Sequence, residues 1–423
     1  SLDGSMTPTF DGNNKTISNL SIAQASKAVG LFGQVSYATI KDLTIDTAVI
    51  ENIATSVEID GPNSGGNGFL AGSLDHSTVS NITLNDISLP SGTGSGFNGG
   101  LVGRASYSSV SDIVVKGTSS IKFLGWSGGA GGVVGHLDHS TLSNASSNAV
   151  VTSYDNTGGL VGLMSAGSVI LDSSSSGNVV VHYSNGGGLV GVQAGGSILN
   201  SYAAGDVAQQ WTWSGSQGGL VGATSENWGA WDGEGSWRLG SDALIDNSYA
   251  TGSVSGSGAN NNAGYVGGLA GAYAGTITNS HASGVITGWI AAGGLVGMNT
   301  GSIEGSYATG QVSANQNAGG LVGLNDTTGV VGTSRTDGLA TVTATGDYSG
   351  GLVGVNLGSV TASSVASTVV VNGVNFVGGL VGANGSFTAA TASLTDSLSA
   401  AAVNATGNQV GGVAGVNLAS ISN

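Results

Sequence analysis

Short apolar runs recur along the chain at a nearly constant spacing, and a pair of glycines opens each of them. The clearest unit spans residues 293–312 and has the sequence GGLVGMNTGSIEGSYATGQV. Its first five residues, and its later segment Ser-Ile-x-x-Ser-Tyr-Ala-Thr-Gly-x-Val, return in many other units. A local pattern that repeats every ~20–50 residues is typical of solenoids and other repeat arrays. The sequence therefore predicts a repeat protein.

The third residue of each Gly-Gly-Leu-Val-Gly unit anchors the repeat. The anchors are Leu31, Leu70, Leu101, Val133, Leu160, Leu189, Leu220, Leu269, Leu295, Leu321, Leu352, Leu380 and Val413. The shortest interval is 26 residues, between Leu269 and Leu295, and the longest is 49 residues, after Leu220. The intervals between anchors thus share a minimum length and differ in how far they exceed it. This predicts one structural turn per repeat, with loops of different length between the strands. The longest interval places one larger insertion near 223–242.

Each unit contains short runs rich in Val, Ile, Thr and Tyr between Gly, Asn and Ser, which favours strands. Several glycines per unit would cost a helix about 1 kcal/mol each, and no sustained helical stripe is present. We therefore predict an all-β protein, a parallel and right-handed β-helix or β-solenoid of about 13 coils. Each coil would have roughly three short strands, such as 295–297, 303–307 and one from about Gln311.

Aligned units define columns of equivalent residues. The columns Ile198, Ile245, Ile277, Ile303 and Val207, Val254, Ile286, Val312 are expected to point inward, whereas Tyr202, Tyr249, His281, Tyr307 are expected to form a partly exposed ladder. Asn299, Asn325, Asn356, Asn384 and Asn417 each follow an anchor by four residues, which predicts an asparagine ladder along the rod. The glycine pair before each anchor is expected to supply corners with positive φ.

Composition narrows the possible partners and compartments. The 423 residues include 78 Gly and no Cys, only 8% are charged, and the net charge is −16. The acidic balance argues against nucleic acid and anionic membranes as partners, and no apolar run is long enough to insert into a membrane. The unbroken repeat favours one elongated domain over residues 31–423, preceded by a capping segment at 1–30. The chain stops in the front half of a repeat, so we expect it to be a fragment of a longer protein.

The units Gly-Gly-Leu-Val-Gly followed by Asn-Ser-Tyr-Ala-Thr-Gly-x-Val resemble the GLUG repeat of large bacterial surface proteins, haemagglutinin-like adhesins and the non-catalytic part of some immunoglobulin A peptidases. Residues 10–22, FDGNNKTISNLSI, resemble the segment that precedes such repeats. The resemblance covers essentially the whole chain. It implies an extracellular, cell-surface or secreted β-solenoid and no catalytic residue. The zinc motif His-Glu-x-x-His of the peptidases is missing, because the chain has no His-Glu pair.

An octet that combines Asp, His and Ser occurs twice, at 74–81 and 137–144, two coils apart. Consecutive strand residues alternate between faces, so they cannot form a Ser–His–Asp relay, which is a spatial constellation. We expect instead a corner in which Asp and Ser bond the local backbone.

A Trp-rich insertion at 211–242 departs most from the repeat. It contains Trp211, Trp213, Trp228, Trp231 and Trp237. In one interpretation these rings form a platform for a glycan or a host or cell-surface protein; in the other they pack into a small satellite core. Trp211 and Trp213 share strand parity, which favours the platform.

The same segment holds four acidic residues, Glu226, Asp232, Glu234 and Asp242. Calcium takes several oxygen ligands from carboxylates and carbonyls, so these residues are a candidate calcium site, with solvated acids as the alternative. Glu226, Asp232 and Glu234 are also the only dense carboxylate cluster for a glycoside-cleaving enzyme.

The function that these observations favour is a rigid, non-catalytic stalk segment of a surface adhesin, with a Trp-lined binding patch as an extension. The alternative is a β-helix enzyme that acts on polysaccharides through Asp232 and Glu234. Lateral self-association of the rods through their Ser/Thr/Asn faces is a further interaction that the sequence leaves open.

Overall fold

The computed structural model describes residues 7–23, 28–51, 66–92, 96–125, 128–211, 215–224, 242–256, 264–338, 340–386 and 391–422. These residues form short strands and contain no helix. The strands stack in parallel, coil upon coil, into a β-solenoid of about 12 turns. The predicted all-β solenoid fold is confirmed.

One compact coil shows the path of the chain. Five short strands follow one another: Val296–Asn299, Ser302–Glu304, Tyr307–Ala308, Val312–Ala314 and Asn317–Gly319. The first belongs to sheet 1, the second and third to sheet 2, the fourth to sheet 3 and the fifth to sheet 4. The anchor Leu321 then begins the next coil.

Sheets 1 and 3 have 13 strands each. Sheet 1 consists of Phe32–Ser36, Ala71–Asp75, Val102–Ser106, Val134–Asp138, Val161–Met164, Val190–Gln193, Val221–Ala223, Ala270–Tyr273, Val296–Asn299, Val322–Asn325, Val353–Asn356, Val381–Asn384 and Ala414–Asn417. Sheet 3 consists of Ser21–Ala23, Val49–Glu51, Ser88–Gly92, Ser120–Phe123, Val150–Ser153, Val179–Val181, Val207–Gln209, Val254–Ser255, Ile286–Gly288, Val312–Ala314, Thr341–Ala344, Val370–Gly373 and Ala402–Ala405.

Sheet 4 has 12 strands and sheet 2 has 22. Sheet 4 consists of Gly66–Asn67, Phe97–Gly99, Gly129–Gly131, Asn156–Gly158, Gly186–Gly187, Gln217–Gly218, Val266–Gly267, Ala291–Gly293, Asn317–Gly319, Tyr348–Gly350, Val377–Gly378 and Val410–Gly411. Sheet 2 consists of Thr9–Ser18, Thr39–Asp46, Thr78–Asn85, Ser109–Lys116, Thr141–Ser147, Val169–Leu171, Ser174–Ser175, Ser197–Leu199, Tyr202–Ala203, Leu244–Asp246, Tyr249–Ala250, Thr276–Thr278, His281–Ala282, Ser302–Glu304, Tyr307–Ala308, Val330–Gly332, Arg335–Thr336, Ser359–Thr361, Ser364–Val365, Ser393–Thr395, Leu398–Ser399 and Ser420–Ser422.

The core runs along the solenoid axis and includes the predicted inward columns. Every anchor from Leu70 to Leu380 is fully buried, as are the predicted Ile and Val columns. The last anchor, Val413, is 43% exposed because no further described coil covers it. At the other end, Ile17, Leu20 and Ile22 pack against the core.

The expectation of three strands per coil was wrong for two reasons: the middle strand is split in two, and a further strand in sheet 4, such as Asn317–Gly319, precedes the next anchor. From Val169 onward, the chain bends between the two halves at a residue with positive φ, such as Asn200 (50°), Asn247 (47°) or Gly305 (59°). Asparagine and glycine adopt this left-handed conformation more readily than other residues. The repeated Asn-Ser or Gly-Ser step before the tyrosine column is therefore a bend and not a continuous strand.

The role predicted for the glycine pairs was also wrong. Neither Gly293 nor Gly294 has a left-handed φ. A Cβ on Gly293 would instead lie 1.9 Å from the carbonyl oxygen of Val296, and one on Gly294 would lie 2.1 Å from that of Gly320 in the next coil. The glycines are required because backbone approaches backbone too closely for any side chain.

Regular strands of the coil flank the longest anchor interval, which follows Leu220. Val221–Ala223 in sheet 1 and Leu244–Asp246 in sheet 2 both pair in register with their neighbours. The excess length therefore falls between them, where residues 225–241 lie outside the described residues.

Candidate functional site: aromatic columns on the solenoid surface

Most of the sequence-predicted site residues cannot be placed. Trp213, Trp228, Trp231 and Trp237, together with Glu226, Asp232 and Glu234, lie outside the described residues. Trp211 and Asp242 are described, and both are exposed. Within the described ranges, no group of three or more metal-ligating side chains comes together. The calcium site and the acidic enzyme site therefore stay predictions.

Trp211 lies in an aromatic cluster at the corner between sheets 3 and 4. The Trp211 cluster comprises Tyr154, His182, Tyr183 and Trp211, contributed by three successive coils. The indole ring stacks on His182 at a centroid distance of 5.3 Å and an interplanar angle of 15°. Tyr183 meets it edge-on at 4.8 Å, and Tyr154 lies 6.0 Å away. Trp211 is thus packed on one side, yet 43% of its surface is exposed.

His182 supports the Trp211 ring as a neutral imidazole. Burial lowers the pKa of His182 below its usual value, a side-chain hydrogen bond with Gln210 acts in the opposite direction, and the charge of Lys122 lowers it further. A neutral ring stacks on indole without the desolvation cost of a buried charge. The cluster therefore combines features of both sequence interpretations: the ring is packed, and part of it faces solvent.

An aromatic column runs along the second of the two strands that each of these coils contributes to sheet 2. The 202–307 column comprises Tyr202, Tyr249, His281 and Tyr307, which are in register in adjacent coils. Successive ring centroids are 5.0, 4.9 and 4.7 Å apart, with interplanar angles of 3°, 10° and 1°. The guanidinium of Arg335 covers the last ring at 4.6 Å from its centroid. The predicted, partly exposed ladder is confirmed.

A second column of the same kind was missed by the sequence analysis. The 37–139 column comprises Tyr37, His76, Tyr107 and His139, at the corner between sheets 1 and 2. Its ring centroids are 4.9–5.0 Å apart, and all four residues have a positive φ of 45–53°. The signal was available, since the duplicated octet places each His one residue after Asp, and the intervening coil carries Tyr107 at the same position.

Buried serine ladders hold both columns in place. In the 202–307 column each ring follows a serine, as in Ser201, Ser248 and Ser280, whose hydroxyl donates to the carbonyl two residues earlier at 2.7–2.8 Å. The same hydroxyl accepts the backbone N–H of the preceding coil's serine at 3.1 Å. Each hydroxyl is thus satisfied as donor and acceptor, which a buried polar group requires.

The 37–139 column is fixed in the same way. Ser77, Ser108 and Ser140 follow its rings, donate to the carbonyl two residues earlier at 2.7–2.8 Å, and form the corresponding ladder from coil to coil. The hydrogen bonds fix the left-handed corner, which bulky residues otherwise avoid. The aromatic side chains are therefore held outward by the backbone beneath them.

The octets form corners, as predicted, but their aspartates do not bond the backbone as expected. Asp75 bonds Nδ1 of His76 at 2.9 Å, and Asp138 bonds Nδ1 of His139 at 2.8 Å. Asp138 also accepts a hydrogen bond from Arg104 at 2.9 Å. Burial alone would raise the pKa of Asp138, but the charges and hydrogen bonds of His136, Arg104 and His139 lower it. The octet serines sit in the buried ladder and not beside the imidazoles.

One Ser–His contact exists elsewhere, between His136 Nε2 and Ser165 Oγ at 2.7 Å. Burial, with the nearby charge of Arg104, lowers the pKa of His136 to about 3. A general base works best when its pKa lies near the working pH, so this imidazole is a weak proton acceptor. The contact satisfies a buried ring nitrogen and provides a structural hydrogen bond.

The geometry of the columns limits what they can bind. A sugar stacks on the face of an aromatic ring, and the inner rings of both columns have both faces covered by neighbouring rings. Only edges and hydroxyl groups are accessible there. Among the described residues, the end ring Tyr202 has one face that no neighbouring ring covers, whereas Arg335 covers the outer face of Tyr307 at the other end of that column.

Comparison with known proteins identifies the repeat. Residues 262–287 and 290–313 match the family described as the GLUG motif. These two matches coincide with the compact coils that contain His281 and Tyr307. A comparison with curated proteins finds no match. Across its described ranges, the structure has no helix with the length and apolarity needed to cross a bilayer. The chain is therefore a β-solenoid in which the coils at 262–287 and 290–313 carry the GLUG motif.

Proposed function

We propose that this chain is a rigid, non-catalytic spacer of an extracellular bacterial adhesin, which holds other parts of a surface protein away from the cell. The observation that supports the proposal best is the unbroken register of side-chain ladders along the solenoid. Serine, asparagine and aromatic columns link each coil to the next over most of the described length.

The asparagine ladder illustrates how the coils are linked. The amide of Asn299 donates to Asn325, Asn325 to Asn356, Asn356 to Asn384, and Asn384 to Asn417, all at 2.8–2.9 Å. These bonds run parallel to the axis and are almost entirely buried. Sliding or bending one coil against the next would break them, which favours a stiff element.

Distance measurements between two coils test the rigidity. The chain has no cysteine, so Thr78→Cys and Ser420→Cys introduce two unique spin-label sites in one column of sheet 2. With a rise of about 4.8 Å per coil, we expect a narrow distribution centred near ~50 Å by double electron–electron resonance. Duplicating residues 269–320, two compact coils, should lengthen it by about 10 Å. A broad distribution, or no shift on duplication, would contradict a rigid spacer.

A second candidate function is glycan or host-protein binding at Trp211, supported by its exposed ring on a fixed aromatic base. The test is a glycan array with wild type and Trp211→Ala, alongside Tyr307→Ala as a control ring on another sheet. Circular dichroism checks that both variants fold. Loss of a glycan signal in Trp211→Ala alone supports the patch; equal signals for all three proteins refute it. Calorimetric titration with calcium on the same samples tests the predicted ion site.

A further inference from the structure

One ring face in the 202–307 column is open. The face of the Tyr202 ring that points towards the C-terminal coils stacks on Tyr249, and no other ring among the described residues contacts Tyr202. In the preceding coil, Ser174 is in register with Tyr202, and in the coil before that one Ser146 occupies the same position. Because serine is much smaller than tyrosine, Ser174 leaves this face of the Tyr202 ring uncovered. The surface next to the face carries the hydroxyls of Ser174 and Ser146. The ring is 38% exposed.

A column of polar side chains lies beside the Tyr202 column, at the bend of sheet 2. Asp42, Asn81, Asp112, Asn144, Asp172 and Asn200 form a column at the bend of sheet 2, in which Asp and Asn alternate. They bond in pairs: Asn81 to Asp42 at 2.7 Å, Asn144 to Asp112 at 2.6 Å and Asn200 to Asp172 at 3.1 Å. Among the described residues, no hydrogen bond joins one pair to the next.

The gap between Asn144 and Asp172 falls beside the open ring. Asp172 lies two residues before Ser174, in the coil that the Tyr202 face overlooks, and Asn144 lies in the coil before it. Both side chains are exposed. One N–H of the Asn144 amide donates to Asp112, which leaves the Asn144 carbonyl oxygen and the carboxylate of Asp172 as neighbouring acceptors at this gap. The other gap, between Asn81 and Asp112, has only Thr83 and Val114 in the corresponding positions, and no ring.

We propose that Tyr202, Ser174, Asn144 and Asp172 form a binding site for a single neutral sugar residue. The C–H face of a pyranose would stack on the open tyrosine ring, and two adjacent hydroxyls would donate to Asn144 and Asp172. Two acceptors one coil apart, about 4.8 Å, suit a pair of neighbouring hydroxyl donors. The carboxylate of Asp172 disfavours acidic sugars, because a second carboxylate would be repelled. This site is separate from the Trp211 cluster and independent of the spacer function.

Saturation-transfer difference NMR with three probes tests the proposal: methyl β-glucoside, methyl β-galactoside and methyl α-mannoside. We expect transfer to at least one of them in wild type. In Tyr202→Ala the affinity should fall by about tenfold or more, which corresponds to ~1.4 kcal/mol. Tyr307→Ala removes the ring at the opposite end of the same column and should leave binding unchanged.

A second variant separates binding from stability. Ser174→Tyr would extend the stack by one ring and cover the Tyr202 face, so binding should be lost while thermal stability is kept. Binding that survives in Ser174→Tyr overturns the site, as does the absence of transfer from wild type to all three glycosides. Binding that is lost in Trp211→Ala but kept in Ser174→Tyr assigns the sugar to the Trp211 cluster and also overturns it.

Discussion

The hydroxyl of Tyr273 donates a 3.1 Å hydrogen bond to the side-chain oxygen of Gln193, two coils away and 80 residues earlier in the chain. Both side chains are buried, and burial raises the pKa of Tyr273 well above its ordinary value of 10.0, so it remains a donor. The bond spans the intervening coil, where Thr224 occupies the same column. Apolar residues such as Met164 precede this point in the column and the asparagine ladder follows it.

Removal of this hydroxyl should destabilise the solenoid. In Tyr273→Phe the ring stays, but the buried oxygen of Gln193 loses its donor, at a cost of about 1–3 kcal/mol. The measurement is urea unfolding monitored by circular dichroism. Tyr249→Phe is the matched control, because its ring lies in the partly exposed column, and its stability should change by less than ~0.5 kcal/mol. Equal losses of unfolding free energy in the two variants would show that the buried Tyr273 bond stabilises the fold no more than a partly exposed tyrosine hydroxyl does.

The asparagine ladder makes a similar prediction with a local signature. Asn325 accepts from Asn299 and donates to Asn356 and to the Gly329 carbonyl at 3.1 Å. Asn325→Leu keeps the volume but leaves the oxygen of Asn356 without this donor, for an expected loss of ~1–3 kcal/mol. Because repeat proteins can open locally, hydrogen exchange should speed up most in the coils on either side.

The control for the ladder is Asn417→Leu at its exposed end. It should change exchange rates only in the last coil. If Asn325→Leu accelerated exchange no more than Asn417→Leu does, the ladder would not be a major source of stiffness.

The sequence predicted the features that depend on one coil being a copy of the next. Equivalent residues must stack in a solenoid, so the buried Ile303 column, the exposed Tyr307 column and the Asn325 ladder all follow from alignment of the units. Features that depend on contacts beyond adjacent, equivalent residues did not follow. The units align Tyr273 and Gln193 in one column, but the alignment does not indicate that the Tyr273 hydroxyl reaches past Thr224 to Gln193, or that Trp211 packs on His182.

The glycine pairs show why local rules failed. Positive φ is the usual reason for an invariant-looking glycine, and the sequence contains no information on how closely two backbones approach. Apart from a few glycines such as Gly305, most left-handed positions are taken by Asn, Asp, His and Tyr, and buried serines stabilise several of these corners through hydrogen bonds. Tyr107 is in this conformation with φ of 47°, which sequence rules disfavour for an aromatic residue.

Close approach at the glycine pairs can be tested by adding one methyl group. Gly294→Ala would place a Cβ 2.1 Å from the carbonyl oxygen of Gly320 and 2.8 Å from the Cβ of Ala308. Rigid backbone lies on one side, so we expect a loss of ~3 kcal/mol or more and a lower unfolding temperature. Gly412→Ala is the matched control. It occupies the same position in the last described coil, and its Cβ would meet nothing within 4 Å.

The two variants should therefore behave differently. Gly412→Ala should leave the unfolding temperature unchanged within a degree or two. A similar loss in both variants would mean that backbone flexibility, and not close approach, is what these glycines supply.

Acid should weaken the solenoid through His136. Its pKa of about 3 in the folded protein lies below the ordinary value of 6.5, so between these pH values the unfolded chain binds a proton that the folded chain does not. The stability is complete above pH 6.5 and falls as the pH drops towards 3, by up to ~1.4 kcal/mol per pH unit. Arg104, Asp138 and His139 surround the ring, and Arg104 adds to the cost of protonation.

Unfolding free energies at pH 7.0, 6.0 and 5.0 test this contribution, since the carboxylates stay largely ionised over that range. His182 and His281, whose pKa values burial also lowers, add to the slope in wild type. The informative quantity is therefore the difference between wild type and His136→Leu, which should have the shallower slope. If His136→Leu has the same pH dependence as wild type, His136 binds a proton equally well in the folded and the unfolded chain, and the acid sensitivity arises at other groups.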